Sequence, residues 1–278
     1  MSYLEIKNIA KRFEDNKVVL KDFSFSLEKG ETISLIGNSG SGKTTFLRIL
    51  NFLLPMDSGS IVLEGKELCN GSSLSYQEKQ KLNSNFGLVF QNMNLFPQYT
   101  ALDNILLPLK SKLKKEAKEQ AKEEKKKWKL IYQERLDQEM TSLKELASTF
   151  LLTEKLNHYP NQLSGGEAQR VAILRALVLK PKILCFDEPT SALDPKLKQE
   201  VANTILHLKK VGTTMIVVTH EMELALAVSD KVIYLEKGSI IEVGDKSILL
   251  TPKSDKLKAF LSLRSTDDES KEEKRRAF

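Results

Sequence analysis

Nine residues, Gly37-Asn38-Ser39-Gly40-Ser41-Gly42-Lys43-Thr44-Thr45, carry the strongest chemical signal in the chain. They fit the phosphate-binding pattern G-x-x-x-x-G-K-[ST] without mismatch. The glycines let the backbone curl until successive N–H groups point at one anion. A helix opening behind them adds its positive dipole end. Lys43 is placed to reach β- and γ-phosphates, and the Thr44 hydroxyl to bind Mg²⁺. The plain alternative is a Gly/Ser turn that happens to hold a lysine. The complete pattern and its flanks argue against that.

Further candidates lie at the ends of apolar runs. Lys182-Ile183-Leu184-Cys185-Phe186 leads into Asp187-Glu188. Near a nucleotide, Asp187 would hold Mg²⁺ through water, and Glu188 would orient and deprotonate an attacking water. Pro189 follows, so a helix N-cap is the competing reading. Gln91 follows Phe86-Gly87-Leu88-Val89-Phe90, and His220 follows Met215-Ile216-Val217-Val218-Thr219. Alone, either is ordinary loop chemistry. In open α/β sheets, however, ligands bind beyond the carboxyl ends of strands. Leu163-Ser164-Gly165-Gly166-Glu167 is a second Gly-rich loop ahead of a helix, hence a second anion site. Having no lysine, it cannot repeat the chemistry of the first. Phe13, upstream of the phosphate loop, offers a ring that could stack on a base, although taken alone it reads as a packed aromatic.

These residues need elements to position them. Thr32–Ile36 reads as a buried strand and Thr45–Leu53 as a packed helix, so the first loop joins a strand to a helix. Strands are expected at 3–9, 18–27 and 60–64, and a hairpin at 232–235 and 239–243 around Lys237-Gly238. Helices are expected at 75–83, 142–156, from Gly165 through Leu177, and at 196–210, 221–229 and 252–263. Residues 70–73 read as a connector. Residues 110–140, rich in Lys, Glu, Ala and Gln, read as an exposed helical arm rather than a packed one. A basic arm touching acidic headgroups or a partner is the sharper alternative. Residues 265–278 read as a charged, disordered tail.

Composition narrows the class. At 41% hydrophobic and 29% charged, the 278 residues are those of a globular protein with a sizeable core. No apolar run approaches the roughly 20 residues of a membrane span. The N-terminus lacks the apolar core of a secretory signal, and a cytoplasmic protein is expected. Cys69 and Cys185 show no metal spacing and no disulfide framework. The net charge of +6 is uneven. Residues 110–129 hold ten lysines and four glutamates, which is itself +6, so the remainder is neutral. A surface that coats nucleic acid is thereby disfavoured.

Taken together, the motifs resemble the ATP-binding subunit of an ABC transporter, over about residues 3–250. Gly37–Thr45 fits the phosphate loop, Gln91 the Q-loop, and Leu163–Glu167 the family signature. Asp187 and Glu188 fit the end of the Walker B strand, Ser191-Ala192-Leu193-Asp194 the D-loop, and His220 the switch histidine. The signature discriminates, because other phosphate-loop proteins lack it. The resemblance implies an α/β fold: a P-loop NTPase (RecA-like) core with an antiparallel β-subdomain and an α-helical signature-motif subdomain. It implies an ATP-binding domain over 1–250. The helical subdomain would span 92–178 and carry a Lys-rich insertion at 110–140. A short C-terminal helix and tail would fill 251–278, with no regulatory domain.

The implied ATP site comprises Phe13, stacked on adenine, Gly37, Asn38, Ser39, Gly40, Ser41, Gly42, Lys43, Thr44, Thr45 and Gln91. Mg²⁺ would be held by Thr44, Gln91 and Asp187. Glu188, His220, Lys43 and Gln91 would carry catalysis. In the family two subunits pack head to tail. Leu163, Ser164, Gly165, Gly166, Glu167 and Asp194 would therefore meet the ATP of a second subunit, in a homodimer or pseudo-dimer. The implied partners are integral membrane permease subunits and, through them, a solute-binding protein, at the cytoplasmic face of the inner membrane. No nucleic acid is expected. Val89–Pro97 is similar to the subfamily that imports polar amino acids such as glutamine or arginine. Lipoprotein-release, cell-division and methionine-import ATPases have similar cores. A soluble ABC ATPase acting on nucleic acid is the more distant alternative. Glu167 and Ala168 depart from the glutamines common at their positions, and 110–129 looks longer than the usual helical lobe.

Overall fold

The structure is a computed structural model that describes residues 2–13, 17–124, 127–191 and 193–263. The expected charged tail at 265–278 and Ala192 of the D-loop motif lie outside the described residues.

Two sheets and a helical lobe build the molecule. The larger sheet runs β10-β9-β3-β8-β7-β6. Its strands are β3 (Thr32–Ile36), β6 (Phe86–Val89), β7 (Ile183–Asp187), β8 (Met215–Val218), β9 (Lys231–Glu236) and β10 (Ser239–Asp245). All neighbouring pairs are parallel except β9 with β10. Every residue of β3, β7 and β8 is buried. That burial explains their unbroken apolar sequences: strands covered on both faces have no solvent side to alternate with.

The smaller sheet is antiparallel, in the order β2-β1-β4-β5. It comprises β1 (Leu4–Arg12), β2 (Val18–Leu27), β4 (Ser58–Leu63) and β5 (Lys66–Cys69). Its apolar face closes over α1 (Lys43–Leu50): Phe46 packs on Phe23 at 4.7 Å and on Phe25 at 5.5 Å. The first helix is thus held between the two sheets, in one core with Leu35, Cys185 and Val218. Strand β5 falls between the expected strand at 60–64 and the expected connector at 70–73, where no element is expected. Lys66-Glu67-Leu68-Cys69 lacks a clear alternation, and its pairing with β4 decides its conformation.

The helical lobe holds α3 (Ala101–Glu124), α4 (Trp128–Thr149) and α5 (Gly165–Leu177), while α2 (Tyr76–Asn83) packs apart from it, beside β6 and the end of α1. The expected exposed arm is in fact a hairpin of α3 and α4 with its own apolar seam. Leu113, Ala117 and Ile131 are buried in it, within a region of low average hydropathy. A narrow seam needs only one apolar residue per turn on each helix, which composition does not register. The helix expected to run to residue 156 stops at Thr149, because Leu151 takes a left-handed φ of 54°. Beyond β7 lie α6 (Pro195–Lys210) and α7 (Met222–Val228). Residues 255–263 form a last helix, and Phe260 packs on Tyr234 at 5.1 Å.

Candidate nucleotide site

Because β3, β8, β7 and β6 are parallel neighbours, their carboxyl ends share one edge of the sheet. The loop 37–42 leaves β3, His220 follows β8, Asp187 and Glu188 end β7, and Gln91 follows β6. Four separate motifs of the chain are gathered there by register alone. Gln91 lies three strands from the loop, about 14 Å at the usual strand spacing, and it is exposed.

The loop itself is built by close backbone approaches. Gly37 has φ 152°, and a Cβ there would lie 2.2 Å from the Leu235 carbonyl oxygen. Gly42 has φ 108°, with a Cβ position 2.6 Å from the Val19 carbonyl oxygen. No side chain fits at either position, so the loop is clamped between the start of β2 and the end of β9. Gly238, in the β9–β10 turn, donates its N–H to Ser41 O (3.1 Å) and accepts from Lys21 N (2.9 Å), tying the same three pieces together. Asn38, Ser39 and Gly40 form the exposed tip, while Ser41 and Lys43 are buried. The Lys43 ammonium donates to Gly37 O (2.8 Å) and Asn38 O (2.9 Å) and lies 3.4 Å from Ser41 Oγ. Thr44 and Thr45 open the second half of the loop on the first turn of α1.

Thr44 Oγ1 donates to Asp187 Oδ1 at 2.9 Å, joining phosphate loop and carboxylate strand directly. Burial raises the Asp187 pKa above the ordinary carboxylate value; the Thr44 bond opposes this and the nearby charge of Glu188 adds to it. A buried carboxylate beside a hydroxyl and a second carboxylate favours a cation among them. Asp187 and Thr44 supply hard oxygen donors, which suit Mg²⁺. No cluster of three His, Cys, Asp or Glu side chains occurs among the described residues, so protein ligands alone do not complete a site. Mg²⁺ is commonly held by one or two carboxylates plus substrate phosphates, and this donor set fits that pattern.

Glu188 stands one residue further on, with φ 49°. The left-handed region is sparsely populated for non-glycine residues and collects at functional sites. Its N–H donates to Val218 O (2.9 Å), and its carboxylate Oε2 lies 3.1 Å from His220 Nδ1. Phe13 is 42% exposed, with the Lys11 ammonium 5.9 Å from its ring centroid. Lys11 in turn pairs with Asp57 at 2.7 Å.

The Gly-rich loop 163–167 sits elsewhere. Ser164 caps α5: its Oγ accepts from Glu167 N–H (3.2 Å), while Glu167 Oε2 accepts from Ser164 N–H (2.8 Å). This reciprocal box explains why Glu167 serves where it stands. Burial would raise its pKa, but the Ser164 bonds and Lys155, 3.3 Å away, hold it below the ordinary range. The positions a Cβ would take on Gly165 and Gly166 face Leu193, Leu197 and Glu200, around the start of α6 rather than the loop 37–45. Asp194 caps α6 through Leu197 N–H (3.0 Å), beside the same surface.

Two residues absent from the sequence reading organise the segment after Gln91. The fully buried Asn104 accepts from Phe96 N–H (2.8 Å) and donates to the carbonyls of Phe96, Tyr99 and Thr100. Arg175, on α5, donates to Met93 O (2.6 Å) and Asn94 O (2.7 Å). An asparagine and an arginine inside helical patterns carry no signal for such loop-holding roles in the sequence.

Fold and loop together define a phosphate-loop ATPase with a helical lobe set into a mixed α/β core. The sequence pattern described as ABC transporter matches residues 20–191, and the chain belongs to that family. It is 39% identical over 265 residues to the L-cystine transport system ATP-binding protein TcyN of Escherichia coli K12, spanning 94% of this chain and 98% of that one. It is 39% identical over 260 residues to the arginine transport ATP-binding protein ArtM of Bacillus subtilis 168, spanning 93% and 98%. Among solved structures, the ATP-binding cassette MJ0796, a dimer bound to ADP and Pi, superposes with a TM-score of 0.66 at 31% identity, covering 87% of this chain and 98% of that one. The fold is also that of CbiO1 from Clostridium perfringens, with a TM-score of 0.72 at 24% identity over 90% and 91% of the two chains.

Proposed function

We propose that this chain is the ATP-hydrolysing subunit of an importer for a polar amino acid, and that it turns over ATP as a dimer. One observation carries the reading. The loop 37–45, Asp187, Glu188, His220 and Gln91 share one sheet edge, while the lysine-free anion loop 163–167 packs beside α6 and away from them. A second phosphate-binding loop with no phosphate of its own is explained if it meets nucleotide held by another copy. Likeness to L-cystine and arginine transport ATP-binding proteins along nearly their full length supports the solute class. The dimeric MJ0796 cassette supports the assembly.

In this reading the N–H groups of residues 37–44 and the Lys43 ammonium bind the phosphates, and Phe13 stacks on adenine. Thr44 and Asp187 would hold Mg²⁺, which neutralises charge on the phosphates when bound, and Gln91, exposed and three strands from the loop, would join them only if the segment after β6 moves inward. Glu188 takes a proton from the attacking water. His220, held 3.1 Å from Glu188, fixes that carboxylate and contacts the γ-phosphate. Ser164, Gly165 and Gly166 of the second copy close the site, with Leu163, Glu167 and Asp194 framing them. No helix of the described residues is long and apolar enough to cross a membrane; in this reading membrane permease subunits supply the path for the solute. Gln91 links the ATP site to the helical lobe that would dock on them, at the cytoplasmic face. The test is ATP hydrolysis by the complex copurified with its permease. Stimulation by a polar amino acid presented on its binding protein supports the reading, and identical rates with and without permease would refute coupling.

A further inference from the structure

The lysines of α3 are not scattered around the helix. At 100° per residue, Lys114, Lys115, Lys118 and Lys122 fall within an arc of about 100°. All four are exposed. Among the described residues none of them has a carboxylate within ion-pair distance, whereas Lys110 is paired with Asp103 at 3.1 Å. The buried residues Leu106, Leu109, Leu113 and Ala117 occupy the opposite side, against α4 and α5. Exposed Glu119 borders the stripe beside Lys115, with Glu123 and Glu116 further round, and Glu116 is taken by Arg135 at 3.0 Å. The helix therefore presents a narrow basic stripe whose Lys115 edge is bordered by Glu119.

An aromatic pair flanks this stripe. The Lys118 ammonium sits 5.4 Å from the centroid of Trp128, the only tryptophan of the chain. Trp128 packs edge-on against Tyr132 at 6.3 Å. Four lysines along one convex helix, with a tryptophan and a tyrosine at their side, match the chemistry of a headgroup layer. Flexible ammonium groups reach the phosphates and the rings sit at the interface. A nucleic-acid site would call for a basic groove or exposed stacking rings. Trp128 is half-buried under its lysine, and the rest of the chain is neutral.

We infer that the Lys114–Lys115–Lys118–Lys122 face of α3, with Trp128, binds the anionic headgroups of a membrane surface. This goes beyond the proposed function and does not depend on which solute is carried. Such a contact would hold the helical lobe against the bilayer beside the permease.

The experiment uses the full chain and its tryptophan as reporter. Vesicles of phosphatidylcholine with about 30% phosphatidylglycerol should sediment the protein and shift Trp128 emission to the blue at about 50 mM salt, and lose it at about 500 mM. Pure phosphatidylcholine vesicles should not bind. Replacing the four lysines by glutamine should weaken partitioning at least about 30-fold. ATP hydrolysis should persist in that variant, since none of the four belongs to the nucleotide site, so loss of vesicle binding alone leaves the proposed function untouched. Equal binding by parent and variant, or equal binding to neutral vesicles, would overturn the inference. So would vesicles that fail to bind while a DNA duplex or an acidic protein does so through the same lysines.

Discussion

Arg175 Nη2, on the helix that the signature opens, donates to the Met93 carbonyl oxygen at 2.6 Å, two residues beyond Gln91. The last turn of the helix that follows the Gly-rich loop 163–167 is therefore joined to the segment after Gln91 by one side chain. Burial disfavours the charge on Arg175 and lowers its pKa, so the carbonyls of Met93 and Asn94 are its compensation. A shift of the signature helix must pull on the segment that follows Gln91.

Arg175→Ala should accordingly disturb hydrolysis more than nucleotide binding. Losing charged hydrogen bonds of about 1.5–3 kcal/mol each leaves the loop after Gln91 loose. We expect kcat to fall about tenfold while the Kd for ATP changes by less than about threefold. Arg175→Lys should restore little, because an ammonium cannot fork to two carbonyls. Steady-state hydrolysis paired with nucleotide titration separates the two effects. Unchanged kcat in a folded variant would reduce Arg175 to a packing residue.

Glu188→Gln should keep ATP bound and slow hydrolysis by about 10²–10⁴-fold. The amide retains the shape of the side chain and its reach to His220 but cannot take the proton. An ATP-stabilised dimer should then accumulate on size exclusion. A variant that stays monomeric with ATP and still turns over at the parent rate would contradict the assigned role.

Asp187 gives a stability prediction with a defined sign. Its folded-state pKa is raised, mainly by burial, so the folded protein holds this proton more tightly than the unfolded chain. Stability is therefore lost as pH rises from the unfolded value through the folded one, and the cost is fully present above both. Asp187→Asn carries no such cost and still accepts from Thr44. The nucleotide-free variant should melt about 2 °C or more above the parent near neutral pH, the gain fading as pH falls toward about 4. Its hydrolysis should be lost. A lower melting temperature at neutral pH would show that the carboxylate is stabilising as it stands.

The central strands and the loops at their ends were legible because burial on both faces leaves unbroken apolar runs that stop where the chemistry starts. Thr32–Ile36 and Ile183–Asp187 are such runs. The phosphate loop was legible because Gly37 and Gly42 have backbone neighbours that exclude any side chain. What the sequence concealed is tertiary. Strand β5 exists through its pairing with β4, and the seam of the α3–α4 hairpin rests on a few residues inside a lysine-rich stretch. Arg175 and Asn104 act on loop carbonyls, which have no sequence signature.

The proposed dimer shares each ATP site between two copies. That sharing is tested most directly by mixing two variants, each inactive alone. Lys43→Ala removes the phosphate-loop ammonium. Gly165→Asp puts a carboxylate at the signature, where an acidic residue suits the first turn of α5 and only the tips of Leu193 and Leu197 must give way. In a mixed dimer, the intact loop of the second variant faces the intact signature of the first, so one site is whole. ATPase activity should appear on mixing and reach a substantial fraction of the parent rate. If the mixture stays as inactive as its parts although mixed dimers form, each site belongs to a single chain and the shared site is refuted.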